Sequence, residues 1–395
     1  MTACFAYLSQ SKIHLKIGDA PIRAVESRFG KDVHERAIRL RERNAWKTQG
    51  RGAQFMSGEM LWGVQDRGPT EMRIAITGLS RGQKSGELLY TLETDEVSGI
   101  FALKHAGYEE QRLFHSSDCR VSNPCASRDK DLVACSILHP QGLANLATMR
   151  ADGSDLTEIT EGDSSDLAPC WVPGESRKLV FQSAGMGRDA QGHLMLRGPY
   201  LIQQLEMDTG EMSCLLEDPK FDFMAPRLDA HGTVYAIRRP YEKTHYSLNP
   251  FRAVLDLMML PLNVLHALFQ WLNFFSVRYT GKPLTSAGGT RGKEIDLKQM
   301  FILGNQVDAE KVSREPQTDD MPAIVPQSWQ LIRQQKGKAP QILAKGVLSY
   351  DLAEDGTLIY SNGSAIYRMD LYGRKKRIHT DTHIEQVVFG SLSRE

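Results

Sequence analysis

The chain has 395 residues, long enough for one large repeat domain or two ordinary ones. Lys plus Arg and Asp plus Glu number 48 each, so the formal net charge is zero, which removes any bulk electrostatic case for a nucleic-acid or strongly acidic partner. Apolar residues make up 41% of the sequence, enough for a packed core, and wholesale disorder is excluded.

Near the start, Lys12-Ile13-His14-Leu15-Lys16-Ile17 alternates as a strand does. Residues 21–46 read as a helix. Pro21 suits a first helical position, and Ile22, Val25, Phe29, Val33, Ala37 and Leu40 recur at helical spacing. Its end is basic, with Arg36, Arg39, Arg41 and Arg43 against Glu35 and Glu42. That face reads as a solvated surface, with an anionic-partner surface as the alternative.

A repeat then sets in. Its first copy is degenerate, from Phe55 through Ser57-Gly58-Glu59 to Met60-Leu61-Trp62. Clearer copies follow. Pro124 leads through Ser127-Arg128-Asp129-Lys130 to Leu132-Val133-Ala134-Cys135-Ser136, and Pro169 through Pro173-Gly174 to Leu179-Val180-Phe181. Pro226 leads through Asp229-Ala230-His231-Gly232 to Thr233-Val234-Tyr235-Ala236, and Ser349 through Glu354-Asp355-Gly356 to Thr357-Leu358-Ile359-Tyr360-Ser361. Turn residues between short apolar runs are hairpin signals.

Three of these copies are followed by a second hairpin, at 143–160, 201–216 and 365–378, and further second-hairpin candidates are 71–92, 100–115 and 328–343. Two hairpins make four antiparallel strands, one propeller blade, and the count predicts about six blades. Ile384 to Phe389 forms one more strand, placed to close the ring with the other chain end.

The motif Asp152-Gly153-Ser154-Asp155-Leu156, then Ile159-Thr160, Pro169 and Trp171, resembles the repeat of the TolB-type, WD40-like β-propellers. Val172 and Gly174-Glu175 depart from the usual Ser and Asp-Gly. The resemblance is best at 143–183 and 349–378 and covers about two thirds of the chain. It implies an all-β propeller fold; with the blade count and the residue patterns the expectation is a six-bladed β-propeller with an N-terminal helical segment and a helical insertion in one blade. It does not imply a reaction. The expected division is a strand and helix extension at 1–50, blades at 51–239, an insertion at 240–327 and closing blades at 328–395.

The insertion interrupts the fifth blade between its two hairpins, and long insertions on loops often carry function. Residues 251–277 within it are unusually apolar and flanked by Arg252, Arg278 and Lys282. On a helix Asp256, Asn263, His266, Gln270 and Asn273 fall within roughly a 100° arc. The rest of that surface is apolar. Three readings follow: a helix lying in a membrane interface, docking on a partner's apolar groove or transmembrane helix, or packing against the propeller wall. The contact residues expected are Leu257, Met258, Leu265, Leu268, Phe269, Trp271, Leu272 and Phe275. Residues 280–327 have loop composition, interrupted by a strand pair within 295–303.

Gly78-Leu79-Ser80-Arg81-Gly82 matches a nucleophile elbow, but no helix pattern follows it, so Ser80 is read as a turn residue. His115, His139, His379 and His383 show no metal-ligand context. Gly288-Gly289-Thr290-Arg291-Gly292 lacks the P-loop lysine spacing, and the Asp-Gly pairs are explained as turns. The six cysteines Cys4, Cys119, Cys125, Cys135, Cys170 and Cys214 include no Cys-x-x-Cys pair and read as reduced structural thiols. Residues 1–10 lack the features of a signal peptide. The expectation is therefore a cytoplasmic protein, peripheral on the inner face of the membrane, with no catalytic residue, cofactor or metal. It would act as an interaction scaffold for a protein partner, a membrane surface or a membrane protein, and not for nucleic acid. The alternative is a propeller-based hydrolase or lyase, which would gather Asp, His and Arg over the central channel.

Overall fold

A computed structural model of the chain describes residues 4–48, 74–104, 108–139, 142–174, 177–188, 194–242, 299–302, 305–308 and 319–390. Two compact units are present, residues 1–242 with 310–395, and residues 243–309. The degenerate copy at Phe55 to Trp62 and the apolar stretch 251–277, with all eight of its expected contact residues, lie outside the described residues.

The first unit opens with β1 (Phe5–Ser9), β2 (Lys12–Lys16) and β3 (Arg23–Val25). Gln10 and Ser11 join β1 to β2 with φ of 50° and 60°. Two positive φ values in a two-residue turn match the right-handed twist of the flanking strands. Helix α1 (Arg28–Thr48) follows, and it begins later than the sequence pattern predicts. The reason is local. Arg23–Val25 is claimed as an edge strand by β2, with Ile13 opposite Val25. Ser27 then caps the helix, its Oγ accepting from the Gly30 N–H at 3.1 Å. The first turn of α1 has no acidic residue of its own, and Glu110 serves instead. Its carboxylate accepts from the N–H groups of Arg28 and Phe29 at 2.7 and 3.1 Å. A negative charge at a helix N-terminus is favourable, so this contact docks α1 onto the next sheet. Phe29 follows it in, 5.1 Å from Phe101 between ring centroids.

That next sheet runs β4 (Ile74–Arg81), β5 (Leu88–Thr94), β6 (Ser98–Lys104) and β7 (Glu109–Ser116), paired in chain order. Here 71–92 is the first hairpin of its sheet, not the second one expected. Then come β8 (Arg120–Ala126), β9 (Leu132–Leu138), β10 (Ala144–Arg150) and the two-residue β11 (Thr157–Glu158). They are followed by β12 (Ser164–Trp171), β13 (Lys178–Arg188), β14 (Leu194–Arg197), β15 (Leu201–Glu206) and β16 (Glu211–Leu216). These two runs count as one nine-stranded sheet only through a single parallel bridge, Ala144 to Ser165. Within the second run β12, β13, β15 and β16 pair in order, and β14 lies on the far end of β13.

Next are β17 (Phe221–Leu228) and β18 (Val234–Pro240). The second unit then intervenes; its described residues form one hairpin, β19 (Gln299–Ile302) with β20 (Asn305–Asp308). The first unit resumes with β21 (Gln330–Gln334), which pairs directly with β18, and β22 (Gln341–Lys345). The chain thus leaves and re-enters one sheet between its second and third strands. A last sheet holds β23 (Ser349–Leu352), β24 (Leu358–Ser361), β25 (Ala365–Met369) and β26 (Lys375–Thr380). Finally β27 (Ile384–Phe389) pairs antiparallel with β1, so the two ends of the chain share a sheet. Such pairing covers what would otherwise be an exposed sheet edge.

The first strands of successive sheets touch: β27 with β4, β4 with β8, β8 with β12, β12 with β17, and β23 with β27. The remaining gap is bridged by Tyr350 of β23, whose hydroxyl donates to the Ala225 carbonyl of β17 at 2.7 Å. Apolar layers fill the spaces between sheets. Trp171 and Leu179 pack on Ala134 of the preceding run, and Phe181 on Leu146, all buried as the repeat pattern predicts. Among the described residues no helix is long and apolar enough to cross a membrane.

One turn fixes how neighbouring sheets abut. A Cβ added at Gly153, whose φ is +92°, would lie 2.1 Å from the Leu113 backbone oxygen of β7, whereas Gly210, at φ +72°, has nothing within 4 Å. Gly153→Ala should therefore lower unfolding free energy in urea by about 3 kcal/mol, from left-handed backbone cost plus overpacking. Gly210→Ala should cost about 1 kcal/mol. Equal losses would mean that the 150–155 turn does not pack on β7.

Candidate functional site at the mouth of the central strands

Three of the repeat prolines sit at β-bulges. Register shifts occur in β8 between Ser122 and Cys125, in β12 between Leu167 and Cys170, and in β17 between Met224 and Arg227. In each, the residue before proline has positive φ: Asn123 at 49°, Ala168 at 53° and Ala225 at 52°. Proline has no N–H to lose at a bulge, and a bulge re-aims the residue that follows. Those following residues are Cys125, Cys170 and Arg227, and all three line one cavity of about 420 Å³. Left-handed alanine is a strained conformation that persists only where the surroundings enforce it.

Every central strand contributes to this cavity: Ser80 and Arg81 from β4, Cys125 from β8, Cys170 and Trp171 from β12, Arg227 from β17, Asp351 from β23 and Val388 from β27. The hairpin turns after these strands form its rim, with Arg128, Asp129, Asp229, Ala230 and Glu354. Arg128 and Glu354 form an ion pair across the rim.

The floor is held by a single carboxylate. Asp351 is 2% exposed. Its Oδ2 accepts from the Phe389 N–H of β27 at 3.0 Å and lies 3.2 Å from Arg81 Nε. Its Oδ1 accepts from Arg81 Nη2 at 3.3 Å and lies 3.8 Å from Arg227 Nε. The guanidinium groups are completed by backbone: Arg81 Nη2 donates to Leu352 O and Arg227 Nη1 to Pro226 O, each at 2.8 Å. One carboxylate therefore joins β4, β17, β23 and β27.

Beside this cluster lie Cys125 and Cys170. Trp171 Nε1 donates to Cys125 O at 3.0 Å and Cys170 Sγ lies 3.6 Å from Trp171 O. The neighbouring Cys170 side chain, helped by the Arg227 and Arg81 charges, outweighs burial and holds the Cys125 thiol below the usual thiol range. Cys170 is held well above the usual thiol range by the neighbouring Cys125 side chain and by burial.

Ser80 is not a turn residue. It is the penultimate residue of β4, and the hairpin turn lies beyond it, closed by Gly82 N–H donating to Glu87 O at 2.8 Å. Its Oγ is buried without a hydrogen-bond partner among the described residues. The histidines lie elsewhere. His115 packs against Phe29, and His139 pairs with Glu158 at 3.0 Å. His379 lies 3.0 Å from the Tyr7 hydroxyl, which donates to Asp381 at 2.7 Å, while His383 occupies a turn with φ 56°. Asp152 and Asp355 accept from the N–H groups of Ser154 and Thr357 within their own turns, both at 2.9 Å. Among the described residues no cluster of His, Cys, Asp and Glu is arranged to hold a metal. Sequence reasoning missed the mouth residues. The signal was the position after each repeat proline.

Removing the Asp351 carboxylate leaves two largely buried guanidinium groups facing each other, with side chains 22% and 21% exposed. Asp351→Ala should cost about 3 kcal/mol in chemical unfolding. Asp351→Asn, which keeps an acceptor for the Phe389 N–H, should cost less. A loss under about 1 kcal/mol for the alanine variant would mean the carboxylate does not bind the central strands together.

No family model matches the chain, and no curated protein does. Solved structures do. TolB from Acinetobacter baumannii is similar with a TM-score of 0.50 at 9% identity, over 98% of this chain and 66% of that one. A chain of the nidogen/laminin complex is similar with a TM-score of 0.50 at 10% identity, over 98% of each chain. At such identities the likeness speaks for the fold alone. The chain has a TolB-like β-propeller fold.

Proposed function

We propose that this protein is a six-bladed β-propeller acting as a non-catalytic interaction scaffold. A partner protein docks at the mouth of the central strands, and residues 251–277 attach the scaffold to a membrane surface or membrane protein. The observation that carries the docking reading is the convergence of all the central strands on one cavity with an exposed rim of hairpin turns. Loops positioned by a rigid scaffold are where binding residues concentrate. The six-blade count is supported by the order of contacts among the first strands and by the pairing of β1 with β27.

A propeller hydrolase or lyase would present Asp, His and Arg with unused hydrogen-bonding capacity. At this mouth Arg81 and Arg227 are directed at Asp351 and at backbone carbonyls, and among the described residues its lining includes no histidine. Those charged groups act as struts between strands, which favours the scaffold.

Docking is tested with a photo-crosslinking residue placed at Ala230 or Glu354 on the rim, or at Thr209 on an outer turn. The rim positions should give a discrete protein adduct in cells that the outer position does not. Adducts of equal yield from all three, or none from the rim, would overturn docking at the mouth.

Attachment is supported by the sequence pattern of 251–277, a narrow polar stripe on an otherwise apolar surface. Burying five of its large apolar side chains is worth on the order of 8–15 kcal/mol before ordering costs. Leu265→Glu with Leu272→Glu should move the protein from the membrane to the soluble fraction while the far-ultraviolet spectrum stays that of the folded propeller. An unfolded double variant would make the stretch a core element. A wild type that is already soluble and monomeric would remove the attachment altogether.

A further inference from the structure

Helix α1 is fixed to the propeller by its first turn. There the Glu110 carboxylate accepts from the Arg28 and Phe29 N–H groups, and Phe29 packs against Phe101. Gly30 lies so close to the next sheet that an added Cβ would stand 3.0 Å from the Ile74 side chain and 3.3 Å from that of Leu92. Arg28 Nη2 donates to Tyr108 O at 3.1 Å, and Lys31 pairs with Glu26 at 2.7 Å. From Lys31 to Leu40, by contrast, no residue is buried, and Leu40 is 57% exposed.

Positive charge is concentrated on this element. Residues 28–48 hold seven Lys or Arg and three Asp or Glu, in a chain whose totals balance at 48 each. Arg36, Arg39, Leu40 and Arg43 stand at i, i+3, i+4 and i+7, which puts them on one face of the helix. All four are exposed. Asp32 and Glu35 precede them, toward the docked end, where acid suits the helix dipole. Glu35 lies 3.9 Å from Arg39, but both side chains are largely exposed, and such a pair neutralises little. Past its anchored turn the helix therefore presents guanidinium groups around an exposed apolar side chain.

We propose that this face of α1 is a docking surface for an anionic lipid bilayer, with the arginines on headgroup phosphates and carboxylates and Leu40 entering the acyl boundary. Charge complementarity selects the occupant. A basic helix is drawn to a negatively charged leaflet, each cation adding to the attraction, and guanidinium pairs well with phosphate. Leu40 supplies the second half of the argument. A purely electrostatic partner has no use for an apolar side chain among the arginines, whereas an interfacial helix buries one beneath the headgroups. This surface is separate from residues 251–277, and the proposal does not rest on their attachment.

The test is co-sedimentation of the full-length protein with large unilamellar vesicles, one set of phosphatidylcholine and one of phosphatidylcholine and phosphatidylserine in equal parts. The wild type should bind the anionic set more tightly, and the preference should vanish in about 1 M sodium chloride, where charges are screened within about 3 Å. Arg36→Gln with Arg39→Gln and Arg43→Gln should weaken binding to the anionic set about 100-fold. Leu40→Ser should weaken it about tenfold. Failure of the 251–277 attachment removes binding common to both sets, whereas failure of this proposal removes the difference between them. Equal binding of the wild type to both sets, or a triple variant that keeps the preference, would overturn it. So would a Leu40→Ser protein that binds as the wild type does while the arginine variant fails, which would make the face an electrostatic contact for an acidic protein or nucleic acid. The lipid and salt comparisons use the wild-type chain, so a poorly folding variant leaves the test intact.

Discussion

The structure depends on a buried carboxylate placed among guanidinium groups. Asp351 is almost wholly removed from water, and a lone charge in that position would be strongly unfavourable. Arg81, Arg227 and the Phe389 N–H answer it from three other strands. Each sheet supplies its own ladder of backbone hydrogen bonds, but the ladders do not run from sheet to sheet around the centre. Between sheets the work falls to apolar packing and to a few polar ties, of which this is one that reaches four strands. Its geometry also sets the chemistry of the cavity. The charges that hold the central strands are the ones that bias the neighbouring thiols.

The same prolines that make the repeat visible in the sequence build the mouth. Pro124, Pro169 and Pro226 sit at bulges in three central strands, each behind a residue in left-handed conformation. In a regular strand a side chain alternates between faces, and one extra residue shifts that alternation. The bulge therefore decides which residue enters the cavity. That Ala168 and Ala225 accept this conformation, at a cost of about 1–2 kcal/mol each, marks the mouth as the part of the fold held against local preference.

Much of the fold was legible because hairpins are local. The strands after Pro124, Pro169, Pro226 and Ser349 follow from turn chemistry and short apolar runs. The closing strand, Ile384 to Phe389, follows from its apolar alternation at the chain end. The hairpin β4–β5 was placed in the wrong half of its sheet, because no repeat proline stands in β4 and its turn, Gln83 to Gly86, lacks Asp-Gly. The helix start was misplaced because Ile22 and Val25 fit a helical period as well as an edge strand. Only the long-range pairing with β2 decides between them. The mouth was not legible at all. Arg81, Cys125, Cys170, Arg227 and Asp351 are spread over 271 sequence positions from first to last, and only the arrangement of the sheets brings them together.

The central claim is that Asp351 couples the central strands through its guanidinium partners. A double-mutant cycle measures this directly. Arg81→Ala, Asp351→Ala and the double variant would be unfolded in urea alongside the wild type. The account predicts that the two single losses exceed the double loss by at least about 1 kcal/mol, because either single variant already breaks the shared contact. Losses that add to within about 0.4 kcal/mol would show that the two side chains act independently, and would contradict it.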